Sequence, residues 1–191
     1  MSVSCGNVVR DGRSPSFLVI DLLQGGRGSA QEPEFANPLL SDVLTLVTSP
    51  APCAPDTPCP TIFNDLGQAT FRLVPKDITA PGGPTSNNQV TISRFRVVYR
   101  RTDGRNTQGV DVPYSWEGAV TGTVAEAGSL TLSFELVRHS AKQESPLAQL
   151  RSTFRIINTV ADVTFWGRDQ VGNDISVTGT LQIDFGDFGD F

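Results

Sequence analysis

The chain has 191 residues, 38% of them hydrophobic, with 18 Gly, 13 Pro and one Met, a balance that suits short strands and turns rather than long helices. At this length it can bury a sizeable core as one domain. A net charge of -5 and a pI near 4.8 argue against a basic footprint for nucleic acid or anionic membrane surfaces, and no apolar run reaches the roughly 20 residues of a bilayer span.

Residues 1–15 read as a flexible polar leader around Cys5, and the start Met1-Ser2-Val3-Ser4-Cys5 reads as the stump of a signal peptide. Cys5 fits either the lipid-bearing first residue of a mature bacterial lipoprotein or an incidental thiol. Ser2, three places upstream, departs from the large aliphatic residue that lipoprotein processing uses.

Residues 16–24 form the first expected strand, apolar almost throughout and so expected to be buried on both faces. A Gly/Ser/Glu/Asn loop over 25–38 leads to a second strand at 42–48. In the proline-rich loop 49–61, Cys53 and Cys59 bracket Ala-Pro-Asp-Thr-Pro, which suits a disulfide and an oxidising compartment. Two cysteines and a single histidine cannot complete four zinc ligands. A third strand at 68–74 ends at Pro75, and 80–88 is another turn-rich connection.

The longest expected strand is 89–101. Val90 and Ile92 have one parity while Phe95, Val97 and Tyr99 have the other, so a β-bulge near Ser93-Arg94 is needed to give one core face. Arg94, Arg96 and Arg100 share the opposite face, with Arg101 and Arg105 following. That stripe reads either as a face for an anionic ligand or polysaccharide, or as a solvated face that guards a sheet edge. Tyr114 and Trp116 lie in the connection after Pro113.

Strands 118–124 and 130–138 are expected to pair through Glu126-Ala127-Gly128, with Gly128 left-handed, because Val120, Val124, Leu130, Leu132, Phe134 and Leu136 share a parity. The helical signal that follows is short: Ser145 as N-cap, Pro146 at the first position, then Leu147, Ala148 and Leu150.

The final hairpin is the clearest element. Val163 and Phe165 alternate with Asp162, Thr164 and Trp166, and Ile175, Val177, Leu181, Ile183 and Phe185 alternate with polar residues. For Phe165 and Val177 to share a face, the loop must hold an odd number of residues. Gln170-Val171-Gly172 satisfies this, with Gly172 at the left-handed place and Asp169 opposite Asn173. Asp174 is expected to face Arg168. Trp166 points away from the core and either forms a platform with Tyr114 and Trp116 or folds beneath a loop.

The order Val-Thr-Phe-Trp-Gly-Arg-Asp-Gln-Val-Gly-Asn-Asp-Ile-Ser-Val resembles the terminal hairpin of bacterial immunoglobulin-like domains, over residues 161–185. Taken whole, the chain also resembles secreted or lipid-anchored bacterial proteins without a known activity. The fold class implied is an all-β, immunoglobulin-like antiparallel sandwich over 16–185, with an acidic tail at 186–191.

No catalytic constellation stands out. His139 is the one histidine, no Gly-x-Ser-x-Gly elbow occurs, and the Asp-Phe-Gly triplets at 184–186 and 187–189 lack every other kinase element. Asp184, Asp187 and Asp190 read as a solvated end, not as a calcium loop. The expectation is therefore a non-enzymatic, extracytoplasmic binding or structural module of a bacterial envelope, needing no cofactor or metal and recognising a protein or glycan. Its candidate surface is Trp166, Tyr114, Trp116, Arg94, Arg96 and Arg100. Its candidate disulfide is Cys53–Cys59, and its candidate lipid anchor is Cys5. The alternatives are a subunit of an extracellular or virion-like assembly and, third, an enzyme of unknown class.

Overall fold

Period-2 alternation along the chain produces strands that each bury one face. The computed structural model describes residues 14–29, 31–77 and 86–189. Its strands are β1 (Ser16–Gly26), β2 (Phe35–Ala36), β3 (Leu39–Asp42), β4 (Thr45–Val47), β5 (Cys59–Thr61), β6 (Asp65–Pro75), β7 (Val90–Arg100), β8 (Trp116–Val124), β9 (Ser129–Val137), β10 (Ile157–Asp169) and β11 (Asp174–Gly186). One sheet has the order β2-β1-β6-β9, the other β3-β11-β10-β7-β8, and β4-β5 is a separate ribbon. Every pairing is antiparallel except β3 with β11.

The two sheets pack face to face through aromatic rings. Phe71 and Phe134 come from the first sheet and Phe95 and Phe165 from the second. Ring centroids lie 4.8 Å apart for Phe71–Phe165, 5.2 Å for Phe134–Phe165 and 4.9 Å for Phe95–Phe134. Phe71–Phe165 and Phe134–Phe165 meet edge to face and Phe95–Phe134 is tilted; aromatic pairs in such arrangements add about 0.5–1.5 kcal/mol each beyond burial. Tyr99 on β7 donates its hydroxyl to the Leu136 carbonyl on β9 at 2.6 Å, a polar tie through the same core.

The final hairpin forms as expected. Phe165 pairs with Val177 and Arg168 with Asp174. Gly172 has φ +88° and donates its amide to the Asp169 carbonyl. Asp169 Oδ1 accepts the amides of Val171 (3.1 Å) and Asn173 (2.8 Å), so its carboxylate holds the loop. Val177 is half-buried and packs against the core rather than lying within it. The bulge in β7 is also present: Ile92 and Arg94 pair with Gly167 and Trp166, and Ser93 is skipped. Val90, Ile92, Phe95, Val97 and Tyr99 all become buried.

Other expectations are corrected. β8 and β9 do not pair with each other: β8 joins β7, β9 joins β6, and the turn over 125–128 carries the chain from one sheet to the other. Gly128 closes that turn through its amide to the Ala125 carbonyl, and its φ is not positive. The shared parity was correct because both strands face one core from opposite sides. β1 is not buried on both faces, since Phe17 is 55% and Leu22 45% exposed, and a bulge falls between Ile20 and Leu22. The expected strand at 42–48 divides into the end of β3 and β4.

Ser145 caps no helix. A five-residue helix, α1 (His139–Gln143), precedes it, and a 3-10 segment, Leu147–Ser152, follows it and sends Leu147 and Leu150 into the core. The termini of the fold reach further than the composition indicated. Ser14 is buried and the Pro15 carbonyl accepts the Lys76 amide, while the Phe188 amide bonds to Asp42 Oδ1 at 3.1 Å.

Phe165→Ala removes a side chain with no exposed area and leaves a cavity between the sheets. The expected cost is about 3–5 kcal/mol in denaturant unfolding, and a cost below about 1 kcal/mol would contradict the interlock.

Burial raises the Tyr99 phenol above its ordinary range. The neutral hydroxyl is thus favoured in the folded state, so its contribution is intact below the unfolded tyrosine pKa near 10 and declines as pH rises above it. Tyr99→Phe is expected to reduce the loss of stability between about pH 9 and pH 11, measured by urea unfolding. An unchanged alkaline slope would contradict this.

Candidate interaction surface

Of the residues that the sequence singled out, the outer face of the five-stranded sheet collects Arg94, Arg96, Arg100 and Trp166. The β7 bulge reverses parity at Ser93, so Arg94, Arg96 and Arg100 all point outward after it. On the neighbouring β10, Asp162, Thr164, Trp166 and Arg168 take the outward positions. Register places Trp166 opposite Arg94, and the Arg94 guanidinium lies 4.3 Å from the centroid of the indole. Such a stack contributes about 0.5–1 kcal/mol at an exposed site.

Beside this stack the two strands come close. Gly167 pairs with Ile92 across the bulge, and a Cβ there would lie 2.5 Å from the Thr91 carbonyl oxygen, so only glycine fits. The result is a groove of about 560 Å³ lined by Thr91, Ser93, Arg94, Trp166, Gly167, Arg168 and Asp174. Trp166 does not fold beneath a loop; it forms one wall of this groove.

The basic stripe is not a field of free guanidinium groups. Arg100 pairs with Asp162 at 2.6 Å, Arg101 with Asp103 at 2.6 Å, Arg105 with Asp103 at 2.9 Å and Arg168 with Asp174 at 2.6 Å. Asp103 is held well below the usual carboxylate range, chiefly by the Arg101 hydrogen bond. Arg94 and Arg96 share Glu117 at 3.4 and 3.8 Å, the two longest of these ion pairs. Exposed pairs like these are screened by solvent and add little to stability. Thr91–Thr123 and Thr164–Thr178 hydroxyl pairs fill the rest of the face.

The remaining candidates separate from this surface. Trp116 is half-buried, edge-on to Phe95 at 5.1 Å, with its Nε1 3.5 Å from the Leu136 carbonyl it faces. It belongs to the rim of the core and not to an aromatic platform. Tyr114 is 50% exposed and lies against Gly109. Cys53 and Cys59 are disulfide-bonded, and the bridge closes the loop of the β4–β5 ribbon. Cys5 lies outside the described residues, as does Asp190. His139 opens α1 as an exposed residue beside Gln143. Asp184 accepts bonds from Asn158 and Gln182. Among the described residues, no three His, Cys, Asp or Glu side chains gather around a common point suited to a metal.

A second groove, about 520 Å³, runs between the edges of β1 and β11 and is lined by residues 18–23, Asn37 and 177–180. Sequence reasoning also missed a buried polar junction at the opposite end of the sandwich from the 170–172 loop. Asp65 at the start of β6 accepts hydrogen bonds from Lys142 Nζ (2.7 Å), Ser41 Oγ (2.5 Å) and the Gly28 amide (2.8 Å). The one available signal was weak: Lys142 is one of only two lysines in the chain.

No known protein family, curated protein or solved structure matches this chain.

The Arg94–Trp166 stack is testable alone. In a Trp116→Phe background, Arg94→Ala is expected to increase acrylamide quenching of Trp166 fluorescence, because the guanidinium no longer covers the ring. Unchanged quenching would mean that the stack does not persist in solution.

Proposed function

We propose that this chain is an immunoglobulin-like, extracytoplasmic module of a bacterial envelope that binds rather than catalyses, with Cys5 as its candidate lipid anchor. Strand order supports the immunoglobulin-like reading. β1, β6 and β9 correspond to strands A, B and E, while β11, β10, β7 and β8 correspond to G, F, C and C′, with β3 running parallel beside G as a second part of A. The Cys53–Cys59 bridge supports an oxidising compartment.

The observation that carries the binding reading is the groove beside the Arg94–Trp166 stack. It offers an indole, hydroxyls from Thr91 and Ser93, and a guanidinium whose nearest carboxylate is 3.4 Å away. A carboxylated sugar suits that set: its ring lies against the indole, and its carboxylate replaces Glu117 on Arg94. Titration with polygalacturonate, with neutral dextran as control, tests this. The parent is expected to bind only the acidic polymer, and Arg94→Ala or Trp166→Ala to weaken binding at least about tenfold. Equal binding by parent and variants, or no binding to the acidic polymer, would overturn it.

One observation favours a second reading, an assembly subunit. Among the described residues, β1 has no partner along residues 16–24 and β11 none along 174–182 on their outer edges, and Phe17 and Leu22 are exposed there. Size-exclusion chromatography with light scattering separates the readings. The assembly reading expects oligomers that grow with concentration, and a monomer throughout removes it.

A further inference from the structure

The junction at Asp65 has the composition of a condensation site. Asp65 and Lys142 side chains both have zero exposure, with Lys142 Nζ 2.7 Å from Asp65 Oδ1. The carboxylate is fully served, accepting from Lys142 and the Gly28 amide on Oδ1 and from the Ser41 hydroxyl on Oδ2. The amine is not. An ammonium has three donors, and among the described residues Asp65 Oδ1 is the one acceptor that Nζ reaches. Two unpaired N–H groups on a buried charge are costly, and the low-dielectric surroundings add the desolvation of both ions.

We propose that Lys142 and Asp65 condense into an intramolecular isopeptide bond. A proton first passes from the ammonium to the carboxylate, leaving a neutral amine beside a carboxylic acid. Nζ then attacks Cγ, and the Gly28 amide stabilises the charge that develops on Oδ1. The Cγ–Oδ2 bond breaks, and Oδ2 departs as water with the carboxyl proton and one amine proton, on the side where the Ser41 hydroxyl donates. Carboxylate plus ammonium becomes secondary amide plus one water, with no oxidant, reductant or cofactor. The product replaces a buried ion pair by a neutral group with one N–H. Its remaining oxygen keeps the Gly28 hydrogen bond. The bond links β6 to α1, positions separated by 77 residues in sequence.

Intact-mass spectrometry of the full chain, reduced and denatured, tests this directly. The expected mass is lower than the sequence mass by one water, and tryptic digestion should yield one branched peptide that contains Asp65 and Lys142. Lys142→Met should restore the full mass, a readout that does not require the variant to fold. The full sequence mass in the parent protein would overturn the proposal. A water loss that maps elsewhere, such as an imide at Asp103-Gly104, would overturn it equally.

Discussion

The contact between Phe71 and Phe134 on one sheet and Phe95 and Phe165 on the other is the constraint on which the sandwich depends. Each sheet alone has one apolar face, and neither could remain in water with that face uncovered. Centroid spacings of 4.8 to 5.2 Å across the interface mean that the rings fill one another's gaps rather than forming two stacked layers. This interlock fixes which residues of β6, β7, β9 and β10 face inward, and so which face outward. The β7 bulge follows from it: without the skipped residue at Ser93, either Ile92 or Phe95 would have to point to solvent. The Arg94–Trp166 groove is formed where that correction meets Gly167.

The ends of the sandwich are closed differently. At one end Asp169 and Gly172 build a tight loop from local hydrogen bonds. At the other, two buried carboxylates organise distant segments. Asp65 gathers the Gly28 amide, Ser41 and Lys142, while Asp42 gathers Arg27, Thr45 and the Phe188 amide. Ser41 and Asp42 are consecutive on the short strand β3, which is parallel to β11. These polar clusters hold β3, the residues after β1 and Phe188 in place beside the buried Leu39 and Val43. Removing Arg27 takes the ion-pair partner from the buried Asp42 carboxylate, which is the more costly kind of loss.

What could be read from the sequence was local. The last hairpin was legible because parity, turn length and Gly172 all lie within a short stretch and agree. The β7 bulge was legible for the same reason. The partner of a strand was not: parity along Val124, Leu130 and Phe134 tells which side faces the core, and it is the same whether β8 and β9 pair or cross between sheets. The five-residue α1 is too short to display a helical period, and Pro146 drew attention to the wrong start. The arginine stripe was visible, but its carboxylates came from β8, β10 and a turn, so its degree of neutralisation was not. Asp65 and Lys142 meet only through the tertiary fold.

These points make a single cooperative unit out of two sheets, with the β4–β5 ribbon and its disulfide attached outside the core. Native-state hydrogen exchange tests that claim most directly. The account predicts that amides of β6, β7, β9 and β10 exchange with one common free energy, that of global unfolding, and that β4–β5 exchanges at a lower one. If amides of β6 and β9 instead exchange well below those of β7 and β10, the sheets separate independently and the phenylalanine interlock does not hold the molecule together.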